Sequence, residues 1–145
     1  MSIRRATVED CEDLFDLHRE VFAAHIEQIW GWDDAWQRTN FAAEFSSTST
    51  TVIEIDGRIA GFVQIRDEIE RVYLQNIALA PNHQGHGLGG QIVGDLKTKA
   101  ADLGLPLELS VFRTNARAVA FYQRLGFAVV ARDGDFVRMI WREKS

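Results

Sequence analysis

Apolar positions near the start of the chain recur at helical spacing. Cys11, Leu14, Phe15, His18, Val21 and Phe22 follow the three- and four-residue intervals that draw one buried stripe along a helix. Residues 2–6 ahead of them read as a short strand, and Thr7 with Asp10 three positions on has the pattern of a capping box. A second helical pattern over residues 33–45 sets Trp36, Phe41 and Phe45 near one face, while the intervening HIEQIWGW has no single period. The polar residues 46–50 read as a connector. Residues 51–55 and 59–65 are rich in β-branched residues and meet at Asp56-Gly57, a strong hairpin signal. Residues 71–79 make the next strand, which Pro81 ends. Within it Val72 and Leu74 have one parity and Ile77 and Leu79 the other; a bulge near Gln75-Asn76 and a strand buried on both faces both give that pattern.

The helical period returns at Leu88, Ile92, Leu96, Ala100 and Leu103, and Gly104 and Pro106 close it. Residues 107–112 alternate like a strand. Asn115 is positioned to cap a helix carrying Ala118, Phe121, Tyr122 and Leu125 on one stripe, with Gly126 as its C-cap. Residues 127–131 and 136–141 form a last hairpin through Asp133-Gly134. The order β, α, α, three strands, α, β, α, β, β predicts an α/β fold: a mixed, mostly antiparallel sheet of six to seven strands flanked by about four helices.

Composition narrows the function. With 145 residues, 46% hydrophobic and 26% charged, the chain is expected to form a single domain over residues 1–145. A net charge of -5 and a pI near 5.3 leave no basic face for nucleic acid or an anionic membrane, and permit cationic partners. The single cysteine, Cys11, cannot form an internal disulfide, which fits a reducing compartment. No apolar run follows the charged N-terminus and none reaches 18 residues, so a cytoplasmic protein is expected. No His/Cys cluster has metal-ligand spacing.

The stretch NHQGHGLGGQIV concentrates Gly85, Gly87, Gly89 and Gly90 just ahead of a helix. Gly85-x-Gly87-x-x-Gly90 formally satisfies the dinucleotide fingerprint, and Glu108 lies near the distance of its ribose-binding acid. Such domains repeat βαβ units, however, and here three antiparallel-type strands precede the loop. A P-loop fails because no Gly-Lys-Ser/Thr follows. Two readings remain: a loop whose N–H groups and helix dipole receive a pyrophosphate, or a glycine-rich turn that packs tightly.

Gln84-Gly85-His86-Gly87-Leu88-Gly89 resembles the Q/R-x-x-G-x-G/A acyl-CoA motif of the GNAT superfamily of N-acyltransferases. IRRATVEDCEDLFDL is similar to that family's opening strand and helix, YLQNIALAPNHQGHGLG to its central strand and loop, and NARAVAFYQRLGF to its closing helix. Only residues 23–50 fall outside the likeness. The resemblance implies the GNAT fold and an N-acetyltransferase that moves an acetyl group from acetyl-CoA, as co-substrate, directly to a primary amine in a ternary complex, without a metal. It further implies cofactor contacts at Ile77, Ala78 and Leu79, at Gln84, Gly85, His86, Gly87, Leu88, Gly89 and Gly90, and at Asn115 and Tyr122. Tyr122 would also be the acid for the departing thiolate. The plain alternatives are a core tyrosine for Tyr122 and a simple N-cap for Asn115.

An alkyl ammonium must lose a proton before it attacks, and a carboxylate commonly draws it off. Glu27 is the candidate base. It lies with Asp33 beside Trp30 and Trp32 in the segment that GNAT proteins use for the acceptor, and aromatic faces next to carboxylates suit a cationic amine. Packing tryptophans and solvated acids would explain the same residues. His18 and His25 read as a helix-face and a surface histidine rather than as bases. The expected partner is a small, cationic amine, with a peptide amine or a non-catalytic acyl-CoA sensor as alternatives, for a monomer or homodimer.

Overall fold

The computed structural model describes residues 1–144. Their backbone runs through β1 (Ser2–Arg5), α1 (Cys11–Ile29), α2 (Asp34–Ser47), β2 (Ser49–Ile55), β3 (Arg58–Asp67), β4 (Val72–Leu79), α3 (Leu88–Leu103), β5 (Leu107–Phe112), α4 (Ala116–Arg124), β6 (Ala128–Asp133) and β7 (Phe136–Trp141). The strands are hydrogen-bonded in the order β1-β2-β3-β4-β5-β7-β6. β1/β2, β2/β3, β5/β7 and β6/β7 are antiparallel, and β4/β5 is parallel from Val72↔Leu107 to Leu74↔Leu109. This is the mixed, mostly antiparallel sheet with four helices that the patterning predicts. The described residues gather into two compact units, Met1–Arg66 with Gln75–Gly85, and Asp67–Leu74 with the chain from His86 on.

In the first unit the stripe of α1 does what its spacing dictates. Leu14, Phe15 and Leu17 cluster with Phe41 of α2, Val52 of β2, Phe62 of β3 and Ala78 of β4. Phe41 meets Phe15 and Phe62 edge-on, at centroid distances of 5.8 and 5.9 Å, the geometry aromatic quadrupoles favour. Arg4 grips Asp10 with two 2.8 Å hydrogen bonds, and Asp10 also accepts from the Thr7 N–H at 2.7 Å. These contacts tie β1 to a single 3-10 turn at Val8–Asp10 that leads into α1. The Arg4 guanidinium, aided by the Thr7 N–H, holds the Asp10 carboxyl well below the usual carboxylate range.

The aperiodic HIEQIWGW resolves into the end of α1, which buries Ile26 and stops where Gly31 takes a φ of 82°. Asp33 caps α2 by accepting from the Trp36 N–H at 3.0 Å. Trp36 departs from the expectation. It is 60% exposed, because the buried face of α2 is carried by Gln37 and Phe41. The predicted connector is shorter than residues 46–50, since α2 runs to Ser47 and β2 starts at Ser49. Asp56 and Gly57 have φ values of 53° and 75°, the left-handed pair a primed hairpin turn requires. In β4 the buried residues Val72, Leu74 and Ala78 share one parity, while Ile77 and Leu79 are half-buried. Full burial therefore keeps one parity along this strand, without the change that a bulge near Gln75-Asn76 would give.

In the second unit α3 buries Ile92, Val93 and Ala100. Leu103, expected on that stripe, is 55% exposed as the last residue before Gly104, which caps the helix at a φ of 67°. β5 buries Leu107 and Leu109 between Val72 and Leu74 of β4 on one side and Trp141 and Met139 of β7 on the other. The last helix ends at Arg124 with Leu125 as its C-cap, so Gly126, expected as the cap, lies one residue beyond it at a φ of 93°. Gly134 turns the β6–β7 hairpin.

Candidate active site

The glycine loop is shaped by backbone conformation rather than by packing. Gly85 and Gly87 have φ values of 78° and 81°, a region that residues with a Cβ enter at a cost of roughly 1–2 kcal/mol. A Cβ added at Gly85, Gly87 or Gly90 would meet nothing within 4 Å. Tight packing is thus not what these glycines provide. Gly87 is the N-cap of α3, contributes no side-chain hydrogen bond to it, and is followed by a first turn without acidic residues. The opening N–H groups of Leu88, Gly89 and Gly90 face a helix dipole of the sign an anion needs. His86 is exposed beside them.

Two further features fix the strand leading to this loop. The Gln84 side chain donates to the Leu79 carbonyl at 2.9 Å, which ties the loop's first residue to the end of β4. Beside β4, Gly61 of β3 lies so close that a Cβ there would come within 2.5 Å of the Ala78 carbonyl oxygen and 2.7 Å of Leu79 Cδ2. The backbone of Ala78 and Leu79 is consequently held against a neighbour that must be glycine.

On α4, Asn115 accepts from the Ala118 N–H at 3.1 Å and so acts as the helix N-cap. Tyr122 is buried, its ring edge-on to Phe121 and Phe127 at 5.1 and 5.4 Å. Burial pushes its phenol above the ordinary value, still further from ionisation at neutral pH.

The acids around the turn from α1 to α2 have structural partners. The Glu27 carboxylate accepts from the Trp32 N–H across the end of α1. Asp33 caps α2. Asp34 accepts from Arg38 at 2.8 Å, Arg19 at 3.1 Å and the Trp32 indole at 3.2 Å. Trp30 is 53% exposed, and Trp32 is half-buried at 6.3 Å from Phe15. His18 is a core residue rather than merely a helix-face one, enclosed by Phe15, Phe22, Phe41 and Trp32. Among the described residues no group of three or more His, Cys, Asp or Glu could hold a metal ion, and no helix is long and apolar enough to cross a membrane.

One cluster escaped the sequence reading. Glu44 near the end of α2 accepts from Asn40 Nδ2 at 2.7 Å, Asn76 Nδ2 at 2.8 Å and Gln75 Nε2 at 3.2 Å. Asn76 Nδ2 also donates to Gln64 Oε1 at 2.7 Å, and Gln64 Nε2 donates to Thr50 Oγ1 at 3.3 Å. Two signals were available. Glu44 stands seven residues after Gln37 and three after Phe41, on the buried face of α2, and Gln75-Asn76 interrupts an otherwise apolar strand.

A mixed sheet whose central strand leads through a left-handed, glycine-built turn into a helix start with no side-chain cap defines a class of anion-receiving α/β folds. Comparison with known proteins makes the class specific. The family model described as "Acetyltransferase (GNAT) family" matches residues 11–127, and the chain belongs to that family. It is similar to the [ribosomal protein bS18]-alanine N-acetyltransferase of Escherichia coli, 30% identical over 109 residues that cover 72% of each protein. It is also similar to the streptothricin acetyltransferase of Streptomyces lavendulae, 31% identical over 60% of this chain but only 48% of that protein. Among solved structures, the PaiA N-acetyltransferase from Thermoplasma acidophilum in complex with coenzyme A superposes with a TM-score of 0.79 over 98% of both chains, at 19% identity. That last likeness concerns the fold.

Proposed function

We propose that this protein transfers an acetyl group from acetyl-CoA to the primary amine of a small, cationic acceptor. The observation that carries the reading is the loop from Gln84 to Gly90: two left-handed glycines, open space above them and the uncapped start of α3 fit a pyrophosphate and have no packing purpose. Family membership supplies the chemistry, and the relatives named above are by their names a ribosomal-protein alanine N-acetyltransferase and a streptothricin acetyltransferase. Acetyl-CoA supplies the activated acetyl thioester. Backbone groups of Ile77, Ala78 and Leu79 hold the arm of the cofactor, the loop holds its pyrophosphate, and Asn115 borders the arm.

Tyr122 holds the proton that the departing sulfur requires. As the amine nitrogen bonds to the acetyl carbon, the carbon–sulfur bond breaks and its electron pair stays on sulfur. The Tyr122 hydroxyl gives its proton to that sulfur and recovers one released by the amine through solvent. Burial opposes ionisation of the phenol, so the transfer must be concerted with bond cleavage. Glu27, Trp30, Trp32 and Asp33 border the acceptor as an aromatic and acidic rim. A net charge of -5 favours a cationic acceptor over a nucleic acid.

The test is release of free thiol from acetyl-CoA across polyamines, amino acids, aminoglycosides and an alanine-terminated peptide, with acetyl-CoA affinity measured by calorimetry. Gly87→Asp, which adds a side chain and a negative charge at the loop, should weaken acetyl-CoA binding at least tenfold in a folded protein. Undiminished affinity would remove the loop from the cofactor site. Binding without turnover of any amine would favour the sensor alternative.

A further inference from the structure

Glu44 is the exception among the acids of this protein. Every other acid that is not exposed faces an arginine: Arg4 serves Asp10 and Glu54, Arg38 serves Asp34, Arg71 serves Glu68 and Glu108, and Arg113 serves Asp135. Glu44 is half-buried and has only the neutral amides of Asn40, Gln75 and Asn76. Among the described residues no Lys or Arg pairs with it. A carboxylate accepts about four hydrogen bonds; three are made here, and the charge itself is not neutralised.

The amides are themselves fixed. Both N–H bonds of the Asn76 side chain are committed, one to Glu44 and one to Gln64 Oε1, and Gln64 is completely buried with its own amide on Thr50. Since a carboxylate cannot donate, the Asn76 amide must present its nitrogen to Glu44. A chain of buried polar groups thus reaches out from the sheet and ends on one uncompensated negative charge. Leaving a charge partly desolvated without a counter-ion is costly, and six comparable acids in the same molecule avoid the cost with an arginine.

We propose that the missing cation belongs to the acceptor: Glu44 receives the primary ammonium of an aliphatic amine. The proposal rests on the acetyl-transfer reading for the identity of the second substrate as an amine. It adds the residue that selects it and the class selected, an alkylammonium rather than a neutral arylamine. Placement supports this. Gln75 and Asn76 directly precede Ile77, Ala78 and Leu79 along β4, and at about 3.3 Å per residue the carboxylate is held within roughly 10 Å of the strip assigned to the thioester arm.

The experiment measures binding of putrescine and L-alaninamide by calorimetry, to the free protein and to the CoA-saturated protein, and records acetyl-CoA affinity for each variant. Glu44→Gln removes the charge while keeping an acceptor for the amides, and should weaken ammonium binding at least tenfold with acetyl-CoA affinity unchanged. Glu44→Asp, which keeps the charge, should retain binding within about threefold. Gln75→Lys supplies the cation from within the chain, so it should keep the fold and abolish ammonium binding even if Glu44→Gln proves unstable. Wild-type ammonium binding in either Glu44→Gln or Gln75→Lys overturns the proposal, as does a wild-type protein that binds neither probe. Failure of the acetyl-transfer reading is separate: it would show as absent acetyl-CoA binding or absent thiol release, neither of which enters the comparison of ammonium affinities.

Discussion

Lowering the pH from 7.5 to 4 should destabilise this protein chiefly through His18. The imidazole is 8% exposed, packed 5.2 Å from both the Phe22 and Phe41 ring centroids, with Nδ1 lacking a hydrogen-bond partner. Burial lowers its pKa from an ordinary 6.5 to about 4, only partly opposed by a hydrogen bond with Gln37. Between those values the unfolded chain carries a proton on this residue and the folded chain does not, so stability rises with pH through the interval. It is complete above pH 6.5 and lost progressively toward pH 4. At about 1.4 kcal/mol per tenfold change in proton affinity, the loss comes to about 3 kcal/mol. For a chain of this length that corresponds to a fall in Tm of roughly 10 °C. Scanning calorimetry from pH 7.5 to 4.5 measures it without the Asp10–Arg4 pair, whose contribution is lost only below the usual carboxylate range. His18→Phe, compared with its own stability at pH 7.5, should show a much shallower slope. An equally steep slope in that variant, or an imidazole that titrates near 6.5 by NMR, would refute the reasoning.

Three other outcomes are expected. Tyr122→Phe should lower kcat by roughly 100-fold while leaving acetyl-CoA affinity and Tm nearly unchanged, because the packed ring is kept and only the acid is lost; wild-type kcat with chemistry rate-limiting would dismiss the acid role. Gly61→Ala should cost about 1–3 kcal/mol in urea titrations, since its Cβ would approach the Ala78 carbonyl to 2.5 Å, and should also weaken acetyl-CoA binding if the 77–79 backbone holds the cofactor. Glu27→Gln should raise KM for the amine a few-fold with unchanged acetyl-CoA affinity; an effect on stability alone would leave Glu27 as a helix-end contact to the Trp32 N–H.

Local chemistry made much of this protein legible in its sequence. Helical spacing from Cys11 to Phe22, the Asp56-Gly57 pair, and the glycines ahead of Leu88 each encode structure within a few residues, where backbone conformation is set by neighbours along the chain. The order of elements and the loop follow from them, and with them the family. Burial is different, because it depends on what another element places opposite. Trp36 and Leu103 read as core residues by period but face solvent, since Gln37, Phe41 and Ala100 carry the packed faces. His18 reads as a helix-face residue until the rings of Phe41 and Trp32 close around it. Glu44 and Asn76 are 32 residues apart, and neither has a period or motif that announces the other. Only the packing of α2 beside β4 brings a carboxylate and its amides together, and a contact of that separation is fixed by the tertiary fold alone.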